Sequence, residues 1–449
     1  MADTSPQHIA EALLTAARNA GAEAADALVT DGARIDVEVR RGALEQAERA
    51  EGIDLGLRVI MGRRQACVSA SDASERTVRE MAERAVAMAR AAPEDPSVGL
   101  AEADQLASDT SAEVLALASD APEPDPAELV ERARAAEAAA LSVEGISQVD
   151  QSGLSVGRRR IHLAATNGFS AGYARTDASI VCIAIAGEGT GMERDHAYES
   201  RVAYADLPDP DEIGRLAAER TLARRAPRKP PTGAFPVLYD ERVASSLVGH
   251  LLQAVNGASV ARGASWARGL MGERVLPEGM DIVEDPRRPG ILGSRPFDAE
   301  GLPTARFPIV ENGVLRRWIL DLGAARRLGL QSTANAVRST AGPPSPAVSN
   351  IALTQGDRTR EDLMREMGTG LLVTSMIGST ISATTGDYSR GASGLWVENG
   401  EPAYAVSECT VAGNLRDMLR TLVAANDART HLSRVVPSLL VEGLTIAGD

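Results

Sequence analysis

Within residues 34–71 two runs place apolar residues on every second position, Ile35, Val37 and Val39 and again Leu55, Leu57 and Val59. A period of two buries one face of an extended strand, whereas a helix would scatter these residues around its circumference. Gly42, Gly52 and Gly62 punctuate the run. The pattern predicts a meander of about four antiparallel strands. Ile9, Leu13, Leu14 and Ala17 recur at helical spacing between Ser5 as N-cap and Gly21 as stop, and helical period returns over residues 73–91. Two helices covering one face of the sheet make residues 1–92 an α+β unit.

Residues 93–126, rich in Pro, Asp, Ser and Ala, read as a connecting segment. In residues 127–229 a helix is expected over Glu128–Leu141, followed by strands near Gly145–Asp150 and Arg158–Ala165. Asn167-Gly168 fits a two-residue type I′ hairpin, since both residues tolerate positive φ. Long β arms through Ser179–Ala186 and His196–Ala203 and a helix over Asp211–Arg224 complete this β-rich middle unit, which Pro227, Pro230 and Pro231 bound. Residues 230–449 hold many glycines, short β-like runs and few helices, the clearest at Glu241–Val255, Leu322–Leu328 and Thr359–Met367. A curved or barrel-like antiparallel sheet with rim helices is expected there, so the whole chain is classed as α+β.

A formal charge of −15 and a pI near 5.0 argue against nucleic-acid binding, which draws on clustered Lys and Arg. The one basic run, Arg220–Lys229, reads as a solvated linker. Cys67, Cys182 and Cys409 lie far apart in apolar, strand-like settings and are expected as buried free thiols. The first residues carry no basic export region, and no run approaches the ~18 apolar residues of a membrane span. A cytoplasmic protein is expected.

Chemistry-bearing motifs are scarce. There is no H-E-x-x-H, C-x-x-C, G-x-S-x-G or Walker loop. His250 has no His or carboxylate three or four residues on, so it reads as a satisfied core or cleft histidine. His162 and His196 would have to meet across strands and lack a third ligand. Asp387 with Glu398 or Glu408 is the remaining carboxylate pairing open to acid/base work.

The run TGDYSRGASGLWVENGEPAYAVSECTVAGNLRDM, residues 385–418, resembles the C-terminal signature of the TldD/PmbA family, and of its PmbA branch, also called TldE. PTGAFPVLYDERVASSLVGHLL is similar to the family's entry into its long helix, EDPRRPGILGSRPFDAEGLPTARFPIVENGVLRRWILD to its central region, and AARRLGLQSTANA to its next helix and turn. The meander over Asp26–Ser69 resembles it as well, and the likeness weakens between about Asp95 and Leu207.

In the TldD branch the long helix carries H-E-x-x-x-H, two zinc ligands and a base, and a C-terminal cysteine adds a ligand. Aligned on Gly257 and the following ARGAS, the resemblance places the first His at Val248, the Glu at Gly249, the second His at Gln253 and the cysteine near Val436. It therefore implies no metal and no catalytic residue in this chain, with zinc in a TldD-like partner subunit that completes a peptide-cutting chamber. Gly386, Asp387, Tyr388, Ser389, Arg390 and Gly391 are the candidate lining loop: glycines admit close approach, Tyr388 offers a ring and Arg390 a carboxylate partner. The plainer reading is a tight hairpin in which Asp387 caps the turn and Arg390 is structural. The alternative to the peptidase subunit is a stand-alone homodimeric peptide-binding or scaffold protein.

Overall fold

The computed structural model describes residues 5–448. Its first half is one antiparallel sheet of six strands: β1 (Ala24–Arg40), β2 (Ala43–Met61), β3 (Arg64–Ala70), β4 (Ile146–Ala165), β5 (Ser170–Ala186) and β6 (Glu193–Arg201), in the order β3-β2-β1-β4-β5-β6. Stretches 1–92 and 127–229 both feed this sheet, because β1 pairs with β2 on one side and with β4 on the other from Asp26 to Val39. The N-terminal meander has three strands in place of about four. Gly42 and Gly62 turn the chain at φ 71° and 59°, whereas Gly52 lies inside β2, paired with Gly32, so that β2 continues through it. The two strands expected at 145–150 and 158–165 are likewise one, β4.

The β4–β5 hairpin differs from a type I′ turn. Its loop is Thr166–Gly168, closed by Ala165 N donating to Phe169 O at 2.9 Å, and only Gly168 takes positive φ, 100°. Asn167 is held outside the left-handed region by its own side chain, which accepts from Phe169 N and donates to Ala101 O.

Helices α1 (Pro6–Asn19) and α2 (Glu75–Ala91), capped by Ser5 and Ser74, pack on Ala25, Ala27, Val29, Leu55, Leu57 and Val59. Helices α3 (Pro126–Leu141) and α4 (Pro210–Leu222) pack on Ile35, Val37, Val39, Leu154, Ile180 and Cys182. All the β1 residues in both sets are odd-numbered. The helix pairs therefore share one face of the sheet end to end, which a 17-residue strand roughly 55 Å long allows.

The C-terminal half is a barrel. Strands β7 (Gly233–Tyr239), β14 (Gly370–Ile381), β15 (Asp387–Glu398), β16 (Glu401–Asn414) and β19 (Leu439–Ala447) run in the order β16-β15-β14-β7-β19, and β16 pairs with β19 through residues 410–412 and 445–447. The ring is thus closed, antiparallel except for the parallel pair β7–β14. Gly394 is needed in it: a Cβ there would stand 1.8 Å from Leu372 O. Short strands β8 (Ile282–Glu284), β9 (Phe307–Glu311), β10 (Val314–Leu315), β13 (Ile351–Leu353) and β18 (Arg434–Val435) form a second, five-stranded sheet, β11 (Ala336–Val337) pairs with β12 (Ser345–Pro346), and β17 (Val423–Ala424) flanks β19. The rim helices are α5 (Glu241–Ala254), α6 (Gly257–Ala261), α7 (Leu322–Leu328), α8 (Arg360–Met367) and α9 (Leu415–Thr421). Helices α6 and α9, of five and seven residues, are not among those the spacing predicts.

Two expected linkers are packed joints. Segment 93–126 buries Leu115 and Leu117, and Arg326 donates to Ser97 O at 3.1 Å and to Leu100 O at 2.7 Å. In the basic run Arg224 lies 3.7 Å from Glu193 and 3.8 Å from Asp195, while the Arg228 backbone bridges to Val406 in β16. The thiols are free, with Cys182 and Cys409 buried and Cys67 only half-buried.

Where the sheet's other face meets the C-terminal half, Asp26 is buried between Arg58 and Arg338, with Arg58 Nε at 2.7 Å. Burial works to raise the Asp26 pKa, but the two guanidiniums prevail and hold it below the usual carboxylate range. Asp26→Ala leaves two buried guanidiniums facing each other and is expected to cost about 3–5 kcal/mol, measured by urea denaturation. Because the folded pKa is lowered, this stabilisation is present at neutral pH and is lost as pH falls through the folded pKa.

Candidate functional site

Helix α5 follows directly from β7, with Asp240 capping Arg242 N. Its inner face, Ala244, Leu247, Val248, Leu251 and Leu252, is buried in the main apolar core together with Val373, Trp396, Val436 and Val441. Val243, Ser246, Gly249, His250 and Gln253 lie off that buried face, in a stripe of spacing three or four.

His250 is the unusual member. Its ring nitrogens are both buried, and neither makes a hydrogen bond of good geometry. The sequence reading of a satisfied histidine is therefore corrected. Its ring stands edge-on to Tyr388 with centroids 6.0 Å apart. Burial, and after it the positive charge of Arg390, pushes its pKa down from 6.5 to about 4, with the Gln253 side chain pulling weakly the other way. At neutral pH the imidazole is uncharged.

The segment Asp387–Gly391 begins strand β15, so the loop expected there is confined to residues 382–386. Tyr388 is 2% exposed, its hydroxyl 3.5 Å from Met376 Sδ, so its ring faces the core and offers no free surface. Burial raises its pKa to about 12. Asp387 accepts from Thr385 Oγ1 at 2.6 Å and from Asn414 Nδ2 at 3.0 Å, holding the turn as the plainer reading has it. Arg390 Nε donates to Gly378 O at 2.7 Å. Gly386 backs onto Trp266, whose Cγ lies 3.4 Å from where a Cβ would stand. Ser389 and Gly391 pair with Thr380 and Ile377.

Two clefts open beside α5. One, of about 580 Å³, is lined by His250, Gln253, Asn256, Arg262, Trp266 and Ile381. The other, of about 930 Å³, lies between β6 and β14 and is lined by Arg220, Arg242, Val243, Ile377, Tyr198 and Met192. Both His250 and Arg242 belong to the same helix, so the clefts mark its two ends.

The residues that the family resemblance aligns with a zinc helix do not fit a zinc ion. Val248 and Val436 are apolar and buried in the core, Gly249 has no side chain, and Gln253 carries an exposed neutral amide. The other pairings considered are not brought together: Asp387 and Glu398 stand at opposite ends of β15, and β5 separates His162 from His196.

Comparison with known proteins agrees with this architecture. Residues 25–89, 119–225 and 232–448 match, in turn, domain 1, the central domain and the C-terminal domain of the PmbA/TldA metallopeptidases. Metalloprotease PmbA of Escherichia coli O157:H7 is 37% identical over 444 residues, covering 97% of this chain and 94% of that one. The chain belongs to the PmbA/TldD family. Its likeness is to the PmbA branch, and a PmbA homolog of Haemophilus influenzae is 34% identical over 96% of the chain and 94% of its own length. Among solved structures, TldE from Thermococcus kodakarensis superimposes with a TM-score of 0.85 at 20% identity, covering 98% of this chain and all of that one. A Bacteroides thetaiotaomicron protein described as a candidate modulator of DNA gyrase gives a TM-score of 0.91 at 25% identity, with both chains fully covered.

Within this PmbA/TldD fold, sequence spacing located α5 but not the groups that converge on it. Arg434, far along the chain, is close to α5 only in space. An NMR titration of His250 should give a pKa near 4 that rises when Arg390 is replaced by Gln. Since the folded pKa is depressed, the stability tied to the neutral ring is present above 6.5 and is lost as pH falls toward 4.

Proposed function

We propose that this chain is the zinc-less subunit of a TldD/TldE-type metallopeptidase, supplying a wall and part of the peptide-binding surface of a chamber completed by a zinc-bearing TldD-like partner. The observation that carries the reading is the chemistry of α5. By the resemblance in sequence this helix corresponds to the zinc helix of the TldD branch, yet Val248 points into the apolar core and Gly249 brings no carboxylate. Hydrolysis by a zinc site needs protein ligands and an activated water, and these side chains supply neither ligand nor base. The clefts flanking α5 offer amides, arginines and apolar walls, which suit holding an extended peptide rather than cutting it.

Elemental analysis after mild dialysis is expected to find far less than one zinc per chain; stoichiometric zinc would overturn the zinc-less part of the reading. Co-expression with a TldD-like chain should give a 1:1 complex stable to size exclusion, as an interface burying at least ~1,200 Å² would be. An unstructured peptide should be cut by the complex in a chelator-sensitive manner and by neither chain alone. Cleavage by this chain alone contradicts the proposal, and a homodimer that ignores the TldD-like chain favours the stand-alone peptide-binding protein.

A further inference from the structure

We infer that the cleft between β6 and β14 binds an extended peptide carrying a carboxylate beside aliphatic side chains, with Arg220 taking the carboxylate and Ile377 the aliphatic group. Both residues line this one cleft of about 930 Å³. Its floor is strand. Ile183 and Ile185 of β5 pair with His196 and Arg194 of β6, while Cys182, Ala184 and Ala197 are buried with α3 and α4. Alternation therefore turns Ile183, Ile185, Arg194, His196 and Tyr198 to the opposite face of the sheet. From Arg194 to Tyr198 the row is about 13 Å long, room for four or five residues of an extended chain. Met192 and Tyr198 are 48% and 50% exposed, and Ile377, across the cleft on β14, is 72% exposed. Large apolar side chains gathered in water around one cleft mark an interaction surface.

Charge decides what covers that surface. The carboxylates around the cleft are already divided between guanidiniums. Asp195 lies 3.4 Å from Arg242 and 3.8 Å from Arg224, Asp240 lies 3.0 Å from Arg242 and 2.9 Å from Arg360, and Glu199 pairs with both Arg201 and Arg429. Among the described residues no carboxylate is left within ion-pairing distance of Arg220, whose Nη1 donates to His196 O at 3.1 Å. This guanidinium is half-buried in the cleft wall and so only partly solvated. Burial, and after it the charge of Arg242, lower its pKa in spite of Asp195, Asp240 and Glu241. A carboxylate entering the cleft offsets both effects through a charge-assisted hydrogen bond, and its neighbours in the peptide cover Ile377 and Tyr198.

The proposal rests on the reading of the chain as a peptide-holding subunit, but it needs neither partner nor cleavage, so its failure would leave the zinc and co-expression tests of that reading untouched. This chain alone is titrated, by fluorescence anisotropy, with a fluorescein-labelled pentapeptide amide of serine, leucine, glutamate, leucine and serine. Two companions carry glutamine for the glutamate, or serine for both leucines. The glutamate peptide should bind about tenfold more tightly than either companion. Arg220→Gln should weaken the glutamate peptide about tenfold and leave the glutamine peptide unchanged. Ile377→Ser should weaken both, and Arg18→Gln on α1 neither. The glutamine peptide with a free C-terminal acid separates the two sources of a carboxylate: binding like that of the glutamate peptide admits chain ends to the site, and no gain restricts it to acidic side chains. Equal binding of the glutamate and glutamine amides, no binding at millimolar concentration, or unchanged binding of the glutamate peptide by a folded Arg220→Gln protein would overturn the site. Should Arg220→Gln fail to fold by circular dichroism, Ile377→Ser, at an exposed position, decides in its place, and unchanged affinity there overturns the site.

Discussion

Three residue pairs, 410–412 against 445–447, close the C-terminal barrel, and the placement of the site follows from that closure. A closed ring leaves no edge between β16 and β19 and fixes the position at which β7 ends. Helix α5 leaves β7 after a single residue, Asp240, so its direction is set by the strand before it. With Leu247, Val248 and Leu251 drawn into the core, Gly249, His250 and Gln253 are left on the side away from it. The same rotation that buries Val248 in the core presents Gly249 to Arg434.

The N-terminal half depends on a different constraint, a sheet long enough to carry two helix pairs on one face. Its other face meets the C-terminal half through charge, with Asp26 between Arg58 and Arg338. Close by, Glu300 is pushed up to about 8, by burial first and then by Asp298. The two acids act on stability in opposite directions. What Asp26 contributes is lost as pH falls through its lowered pKa, whereas what the protonated Glu300 contributes is present below 4.5 and is lost as pH rises through about 8. Both contributions are whole only between the ordinary Asp and Glu values of 3.8 and 4.5, and above that window the Glu300 share declines until about pH 8.

Elements with a strong period were legible without coordinates. The helices α1, α3 and α5 were expected within a residue or two of their observed ends, because amphipathic spacing and capping residues act locally. Strand continuity was less legible. Gly52 carries the signal of a turn, yet its pairing with Gly32 keeps β2 extended, and only the partner strand could supply that information. The loop expected at Asp387–Gly391 failed for the same reason: its glycines and Arg390 are compatible with a turn, but pairing with β14 and β16 makes it strand.

Side-chain identity alone determined that Val248 and Gly249 carry neither a metal-binding atom nor a base and that Gln253 offers only a neutral amide, whatever the fold around them. It also determined the α+β class, because periods of two and of 3.6 cannot exchange roles. Tertiary structure decided which of the remaining polar groups meet. Arg390, Arg434 and His250 are separated by 44 to 184 residues along the chain, and no spacing rule relates them. Barrel closure and the packing of α5 bring Arg390 toward the His250 imidazole and Arg434 toward Gly249, because contact between distant residues depends on how the elements pack rather than on the order in which they are written.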